Sequence, residues 1–297
     1  MADAIYRQCA DARGAPDVDR RGRLTHREFL ADYLRPLKPV IVTGAIDGWP
    51  ATTRWTLDFF ASRYGSRTVA IDGRSLRFSD FIDLVERSTP TRPAPYFRNI
   101  LIEDWAPELM ADIDPLPPYT RPNWLDSPFF PERRSLTSIE LYIGGAGARF
   151  PVLHYDNLHT HAFLMQLSGA KEYVFYPPEA AAYLYPRAGS ETNKSAIDDI
   201  ERPDLERFPL FTRATAARCR LEAGEMLFVP SGWWHTARIV TPSITVSANT
   251  ANASNWPSFT RDYTASVARH RSVWRAQAVG AYLALFAACD RAVSMWT

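Results

Sequence analysis

The sequence predicts a mainly β domain, a sandwich or barrel of short strands, with helices at both ends. Two observations carry the prediction. From about residue 138, runs of five to seven residues rich in apolar side chains recur between turns, at 139–143, 162–167, 171–176, 225–229 and 243–249. Short strands in series, separated by turn residues, mark sandwiches and barrels rather than parallel βαβ folds. Outside that region the apolar spacing changes to the three-and-four-residue repeat of helices.

In chain order, the first ~35 residues read as polar and helical. Thr25 and Glu28 have capping-box spacing, and Phe29, Leu30, Tyr33 and Leu34 fall on one face. Residues 40–42 form an apolar strand closed by Thr43 and Gly44, and helices are expected over 56–64 and 79–87, the second capped by Ser79. Residues 88–135 are rich in proline and aromatics without a clear period. They read as an ordered wall or lid, because Trp105, Trp124, Phe129 and Phe130 need burial. Ser168-Gly169-Ala170 has the chemistry of a hairpin turn, and 186–218 reads as a long polar surface insertion. Helix returns at Trp256-Pro257, with proline at a first helical position. Phe259, Tyr263 and Val267 share one stripe there, and Tyr282, Leu285 and Phe286 share another. The chain therefore divides into an N-terminal helical segment (1–37), a β domain (38–250) and a C-terminal helical region (251–297).

Charge and cysteine usage narrow the class. The formal net charge is +1, which lacks the basic footprint of a nucleic-acid binder, so no nucleic-acid partner is expected. The three cysteines, Cys9, Cys219 and Cys289, are far apart and lack paired spacing, which argues against a disulfide framework and for a reducing, cytoplasmic setting. No apolar signal core opens the chain, and the longest apolar stretch, 278–289, is shorter than the ~20 residues of a membrane span. The only lysines are Lys38, Lys171 and Lys194, against a large excess of arginine, so each merits attention.

Four of the six histidines, His154, His159, His161 and His235, lie in the β region. His154 and Asp156 are two apart and project from one strand face. His235, after the strand and tight turn of 224–234, sits where a neighbouring strand can complete one face of an octahedral metal site. Two imidazoles and a carboxylate, with positions left open, suit iron(II) in oxygenases. Alone, a His-x-Asp recurs by chance in many proteins, and a lone histidine is more often a packing or surface residue. The context is what raises the metal reading.

That context also carries a resemblance. Leu153-His154-Tyr155-Asp156, the run Gln166 to Pro178 through Ser168-Gly169-Ala170-Lys171, and the stretch Gly224 to His235 with Pro230, Gly232, Trp233 and Trp234 are similar to the JmjC, cupin-8-type 2-oxoglutarate oxygenases. The nearest in style is the asparaginyl hydroxylase that acts on hypoxia-inducible factor. The likeness takes in Lys38 to Gly44, Trp49, Pro50 and Trp55, and further Ser195 to Asp198, Pro203 and Asp204, so it spans roughly 25–250.

The resemblance implies a double-stranded β-helix (jelly-roll, cupin-like) fold. It implies iron(II) held by His154, Asp156 and His235, with 2-oxoglutarate and dioxygen as co-substrates. Lys171 would bind the distal carboxylate of 2-oxoglutarate, a task that suits a compact ammonium. Tyr96 would share that carboxylate, with Tyr142 as its competitor, and Asn249 would lie near the metal end. Asn249 shares a strand face with Thr245 and Ser247, a polar face that lines a site or meets water. The expected reaction couples oxidation of 2-oxoglutarate to succinate and carbon dioxide with hydroxylation. Asp156 favours this outcome, because related halogenases lack the carboxylate.

Two departures stand out. The spacing from His154 to Lys171 is about two residues longer than in the hydroxylase compared, and Ala162 stands where an asparagine is expected. The extra length brings His159 and His161, which on a regular strand share a face with each other, to hold co-substrate or substrate through a bulge or else to pack. The expected substrate is a protein or peptide side chain, with a small molecule or natural product as the alternative. Demethylation through an N-methyl carbon, a tRNA-modifying role and a non-catalytic metal-binding cupin are further readings. The relatives' use of C-terminal helices implies a homodimer.

Overall fold

The computed structural model describes residues 18–130 and 139–294, with side chains up to residue 288. The helix expected over the first residues, as far as residue 17, lies outside the described residues, as do Cys9, the Cys289 side chain and positions 131–135 of the expected wall.

The described residues build two facing β-sheets and a separate two-stranded ribbon. Strand β1 (Asp19–Arg21) runs parallel to β2 (Val40–Thr43), so part of the segment expected to be helical is strand. The ribbon β3 (Thr68–Ile71) and β4 (Arg74–Arg77) stands apart. Then follow β5 (Phe97–Leu101), β6 (Ile139–Gly144), β7 (His161–Ser168), β8 (Lys171–Tyr176), β9 (Ala217–Leu221), β10 (Glu225–Val229), β11 (Trp234–Ile239) and β12 (Ser243–Thr250). The large sheet has the order β1-β2-β10-β7-β12-β6-β5, and the small one β11-β8-β9. From β7 onward the chain crosses between the sheets at β7/β8, β9/β10, β10/β11 and β11/β12, which is the jelly roll, or double-stranded β-helix, that the motifs imply.

Alternation along each strand sorts the core. On the outer face of the large sheet, Val40, Val42, Phe163, Met165, Met226, Phe228, Ile244 and Val246 are buried against Phe29, Tyr33, Trp55, Phe60 and Phe81 of the N-terminal helices. On its inner face, Ile41, Ala162, Leu227 and Val229 meet Tyr173, Phe175, Ala217 and Leu221 of the small sheet. The capping box forms as expected: Thr25 Oγ1 accepts from the Glu28 amide, and the Glu28 carboxylate accepts from the Thr25 amide. Helix Phe78–Glu86 starts one residue earlier than expected, with Arg77 rather than Ser79 at its N-cap.

The turn at Ser168-Gly169-Ala170 is not a hairpin. β7 pairs with β10 and β12, whereas β8 pairs with β11 and β9, so the turn carries the chain from one sheet to the other. Gly169 has φ +69°, and a Cβ there would meet the Pro242 carbonyl oxygen at 2.0 Å. The glycine serves close passage beneath the 241–242 turn as well as the turn itself.

The C-terminal helices, Trp256–His270 and Val273–Ser294, pack on the end of the domain. Trp256, Phe259, Tyr263, Leu283 and Ala287 form one buried cluster with Trp124, Leu125 and Phe130. Phe129, expected to be buried, is instead 72% exposed. Among the described residues, no helix is long and apolar enough to cross a membrane.

Candidate metal centre and co-substrate cavity

At the mouth between the sheets lies a cavity of about 270 Å³. His154, Asp156 and His235 line it, and one ligand atom from each lies within 4.8 Å of the other two. The backbone brings the histidines together. His154 N–H donates to His235 O at 3.1 Å and His235 N–H to His154 O at 2.6 Å, the reciprocal pair of an antiparallel ladder. Each imidazole then uses Nδ1 on the carbonyl two residues before it, Val152 for His154 and Trp233 for His235, both at 3.0 Å. A neutral ring that donates from Nδ1 leaves the Nε2 lone pair free for a metal. Phe150 stacks on the His154 ring at 4.4 Å.

The electrostatics agree. Burial, reinforced by the nearby His235, pushes His154 well below its usual pKa, which keeps the imidazole neutral, the form a metal ligand needs. Burial raises the Asp156 carboxyl, only partly offset by His235. A divalent cation among the three donors reverses that penalty. The donor set of two imidazoles and one carboxylate, with an open cavity in front, fits iron(II) and leaves room for a chelating co-substrate.

Lys171 opens β8 and is 2% exposed, with its Nζ donating to Tyr96 Oη at 2.9 Å. The ammonium also lies over the Tyr96 and Tyr142 rings, at 5.4 and 5.5 Å. It makes no ion pair among the described residues, and burial pulls its pKa down to about 7. Against the ordinary value of 10.5, that is a desolvation cost on the order of 5 kcal/mol. A buried cation that faces a cavity without an ion pair of its own is costly, and an anion bound there would relieve the cost. Tyr96 is thus the tyrosine that hydrogen-bonds Lys171, while the Tyr142 hydroxyl donates to Glu140.

The polar face of β12 turns inward. Thr245, Ser247 and Asn249 line the cavity, and Asn249 Nδ2 donates to Thr160 Oγ1 at 2.9 Å. Ala162, at the departure from the expected asparagine, lies on the same wall.

His159 and His161 do not line the cavity, and they do not share a face. Leu158 and His159 have φ of +56° and +52°, which turns His159 Nδ1 onto Asp262 of helix Trp256–His270 at 2.5 Å. His161 is fully buried, accepts from the Ser231 amide at Nδ1 (3.0 Å) and meets Ser254 Oγ with Nε2 at 2.9 Å. Burial lowers its pKa to about 3, so it stays neutral. The added residues fasten the C-terminal region to the loop after Asp156.

Glu140, Asn99 and Thr160 line the cavity without having been singled out from sequence. Glu140 and Tyr142 on β6 stand opposite Ser247 and Thr245 on β12. The signal was a carboxylate within an otherwise apolar strand run, which reads as a solvent-facing position until the sheet pairing is known.

Comparison with known proteins identifies the class. The profile of the cupin-like domain family (Cupin_8) matches residues 26–256, and the chain belongs to this JmjC-like family, whose cofactors are iron(II) and 2-oxoglutarate. Among its most similar relatives is Lysine-specific demethylase JMJ30 of Arabidopsis thaliana, 32% identical over 80% of this chain and 56% of that protein. Lysine-specific demethylase 8 of Danio rerio is 32% identical over 74% of this chain and 54% of its own length. The tRNA wybutosine-synthesizing protein 5 of Gallus gallus is 30% identical over 71% of this chain and 70% of its own. The chain thus spans about half the length of the two demethylases.

Proposed function

We propose that this protein is an iron(II)- and 2-oxoglutarate-dependent oxygenase that hydroxylates a side chain of a protein or peptide. Demethylation is the outcome where the carbon attacked is an N-methyl group. The observation that carries the reading is the joint presence, in one cavity, of the His154–Asp156–His235 donor set and the unpaired buried Lys171. His154, Asp156 and His235 would hold the iron. Lys171 and Tyr96 would hold the distal carboxylate of 2-oxoglutarate, and Asn249, fixed by Thr160, would sit at the metal end. The bound metal supplies activation of dioxygen. The protein's own groups orient the imidazoles through Val152 and Trp233 and wall the site with Phe150, Tyr96 and Tyr142.

A second reading is RNA modification, favoured by the relatives named for wybutosine synthesis on tRNA and disfavoured by a net charge of +1. A small-molecule hydroxylase would use the same donor set and the same Lys171. A non-catalytic metal-binding cupin would have no use for Lys171, whose burial is costly without an anion to meet it. We further propose a homodimer through the C-terminal helices, where Val273, Trp274 and Leu285 are about two-thirds exposed. A monomer mass in light scattering counts against it.

The test is succinate release by purified protein with iron(II), ascorbate and 2-oxoglutarate, together with anaerobic 2-oxoglutarate binding. Absence of both turnover and binding defeats the oxygenase reading. A one-oxygen gain in peptides of a host extract, dependent on 2-oxoglutarate, identifies the substrate; the same gain in RNA selects the second reading.

A further inference from the structure

The candidate metal ligands are held from two sides, and the outer side is the insertion after β8. His154 pairs with His235 of β11 on one flank, and on the other the segment 153–155 pairs with 193–195. Ser195 N–H donates to Leu153 O at 2.8 Å and Tyr155 N–H to Asn193 O at 3.0 Å, with His154 opposite Lys194. The segment 186–218, read from the sequence as a surface insertion, thus sends an extended stretch against the ligand-bearing residues.

That stretch is itself braced. Arg187 N–H donates to Lys194 O and Ala196 N–H to Tyr185 O, both at 2.8 Å. The hydroxyl of the fully buried Ser195 donates to Leu184 O at 2.6 Å, and Arg187 and Lys194 both pair with Glu191.

The side chain of Asn193 reaches beyond this ladder. Its Nδ2 donates to Tyr155 O and to Asn157 Oδ1, each at 2.9 Å. A backbone carbonyl can only accept, which fixes the orientation of the amide. The two hydrogens of one nitrogen therefore go to the residue before Asp156 and the residue after it. Backbone and side chain of Asn193 together satisfy both backbone polar groups of Tyr155.

Asp156 needs this support more than the histidines do. Each imidazole is aimed by its own Nδ1 contact, to Val152 or Trp233. The Asp156 carboxylate receives no hydrogen bond from any described residue, so its direction follows from its backbone alone. That backbone leads into Leu158 and His159, both left-handed at φ +56° and +52°. Such a conformation is costly for residues other than glycine and persists only where the surroundings hold it. His159 is held by Asp262 on the far side, and Asn193 ties down Tyr155 and Asn157 on the near side.

We propose that Asn193 is a positioning residue of the metal centre: by holding Tyr155 and Asn157 it sets where the Asp156 carboxylate stands relative to His154 and His235. The inference rests on the metal-centre reading and concerns its carboxylate ligand alone. It makes the polar insertion a part of the site.

Nickel(II) titrated into the full chain by calorimetry, without 2-oxoglutarate or oxygen, tests it without turnover. Nickel(II) stands high in the affinity order of divalent metals, so it registers even on the two imidazoles left by Asp156→Ala. Asn193→Ala is expected to weaken nickel(II) binding roughly tenfold to a hundredfold, the range for groups that orient a metal ligand. Glu191→Ala, which breaks both ion pairs of the insertion and leaves Asn193 in place, keeps binding within about twofold of native. In the Asp156→Ala background, Asn193→Ala brings no further loss. An effect that acts through Asp156 ends with it, whereas a general loosening of the site persists. Native affinity in Asn193→Ala, an equal loss in Glu191→Ala, or a further loss on top of Asp156→Ala overturns the proposal. If Asn193→Ala does not fold, Asn193→Leu, which keeps the size and removes both hydrogens, takes its place under the same criteria. No nickel(II) binding by the native protein defeats the metal-centre reading itself; native binding that Asn193→Ala leaves unchanged defeats only the role of Asn193.

Discussion

His154 and His235, candidate ligands of one metal, are first of all partners in a ladder: each donates its backbone N–H to the other's carbonyl, at 3.1 and 2.6 Å. Their ring centroids lie 4.5 Å apart, so the donor pair is assembled by the fold alone. Metal binding there would therefore add stability to a site that already exists. At about 100 times its dissociation constant, manganese(II) is expected to stabilise the protein by ~2.7 kcal/mol. Asp156→Ala should remove most of that gain and abolish turnover. It should leave the metal-free melting midpoint undiminished, because it also removes a carboxyl whose burial is penalised. Thermal scans with and without metal check both halves.

Replacing Lys171 separates function from stability in the opposite sense to most core substitutions. Lys171→Met keeps the stem and removes a buried ammonium with no ion pair, so the metal-free protein should gain on the order of 1–4 kcal/mol. The same variant should lose 2-oxoglutarate binding by more than about a hundredfold, through loss of its charge-assisted contacts. Urea unfolding and anaerobic titration measure the two effects. A destabilised variant would contradict the account of the buried charge.

The pH dependence follows from the same residue. In the free protein Lys171 titrates at about 7, so above that pH the amine is largely neutral. A bound dianion requires the charged form and raises its pKa, so binding takes up a proton there. The 2-oxoglutarate dissociation constant is expected to be flat below pH 7 and to weaken by up to about tenfold per pH unit above it. Calorimetry in buffers of different ionisation enthalpy should show proton uptake at pH 8. Tyr96→Phe removes the hydroxyl but keeps the ring, and should retain this profile.

Gly169 sets where Lys171 begins. Gly169→Ala places a Cβ against the Pro242 carbonyl in a left-handed conformation, and is expected to cost more than about 1–3 kcal/mol. Because β8 starts two residues later, co-substrate affinity should fall alongside stability. A variant that unfolds normally yet binds weakly would mean that the strain is absorbed locally at the turn.

How far these features were legible in the sequence depended on whether their cause was local. The strands at 40–42, 139–143, 162–167, 171–176, 225–229 and 243–249 were legible from apolar runs bounded by turns, each within two residues of the observed limits. β9 was not, because Arg218 and Arg220 alternate with Ala217, Cys219 and Leu221 and so read as the end of a polar insertion. The turn at Gly169 was recognised but misassigned, since hairpins and sheet-to-sheet crossings use the same turn residues. The partner is fixed by pairing far away, with β12 and β10. At the site, the three metal-ligand candidates and Lys171 were legible from spacing and resemblance. Glu140 was not, because only the β6–β12 register shows which face of β6 looks inward. His159 and His161 were visible as a departure, but their direction depends on left-handed residues that no side-chain pattern announces.

Those two histidines bear on where the chain can be cut. A shortened protein ending at the last strand would keep every metal-ligand candidate and look complete on paper. It would also strip Ser254 from the fully buried His161, leaving one ring nitrogen without its partner, and release His159 from Asp262 a few residues from Asp156. For anyone trimming this protein, the natural stopping point lies beyond helix Trp256–His270, not at Thr250.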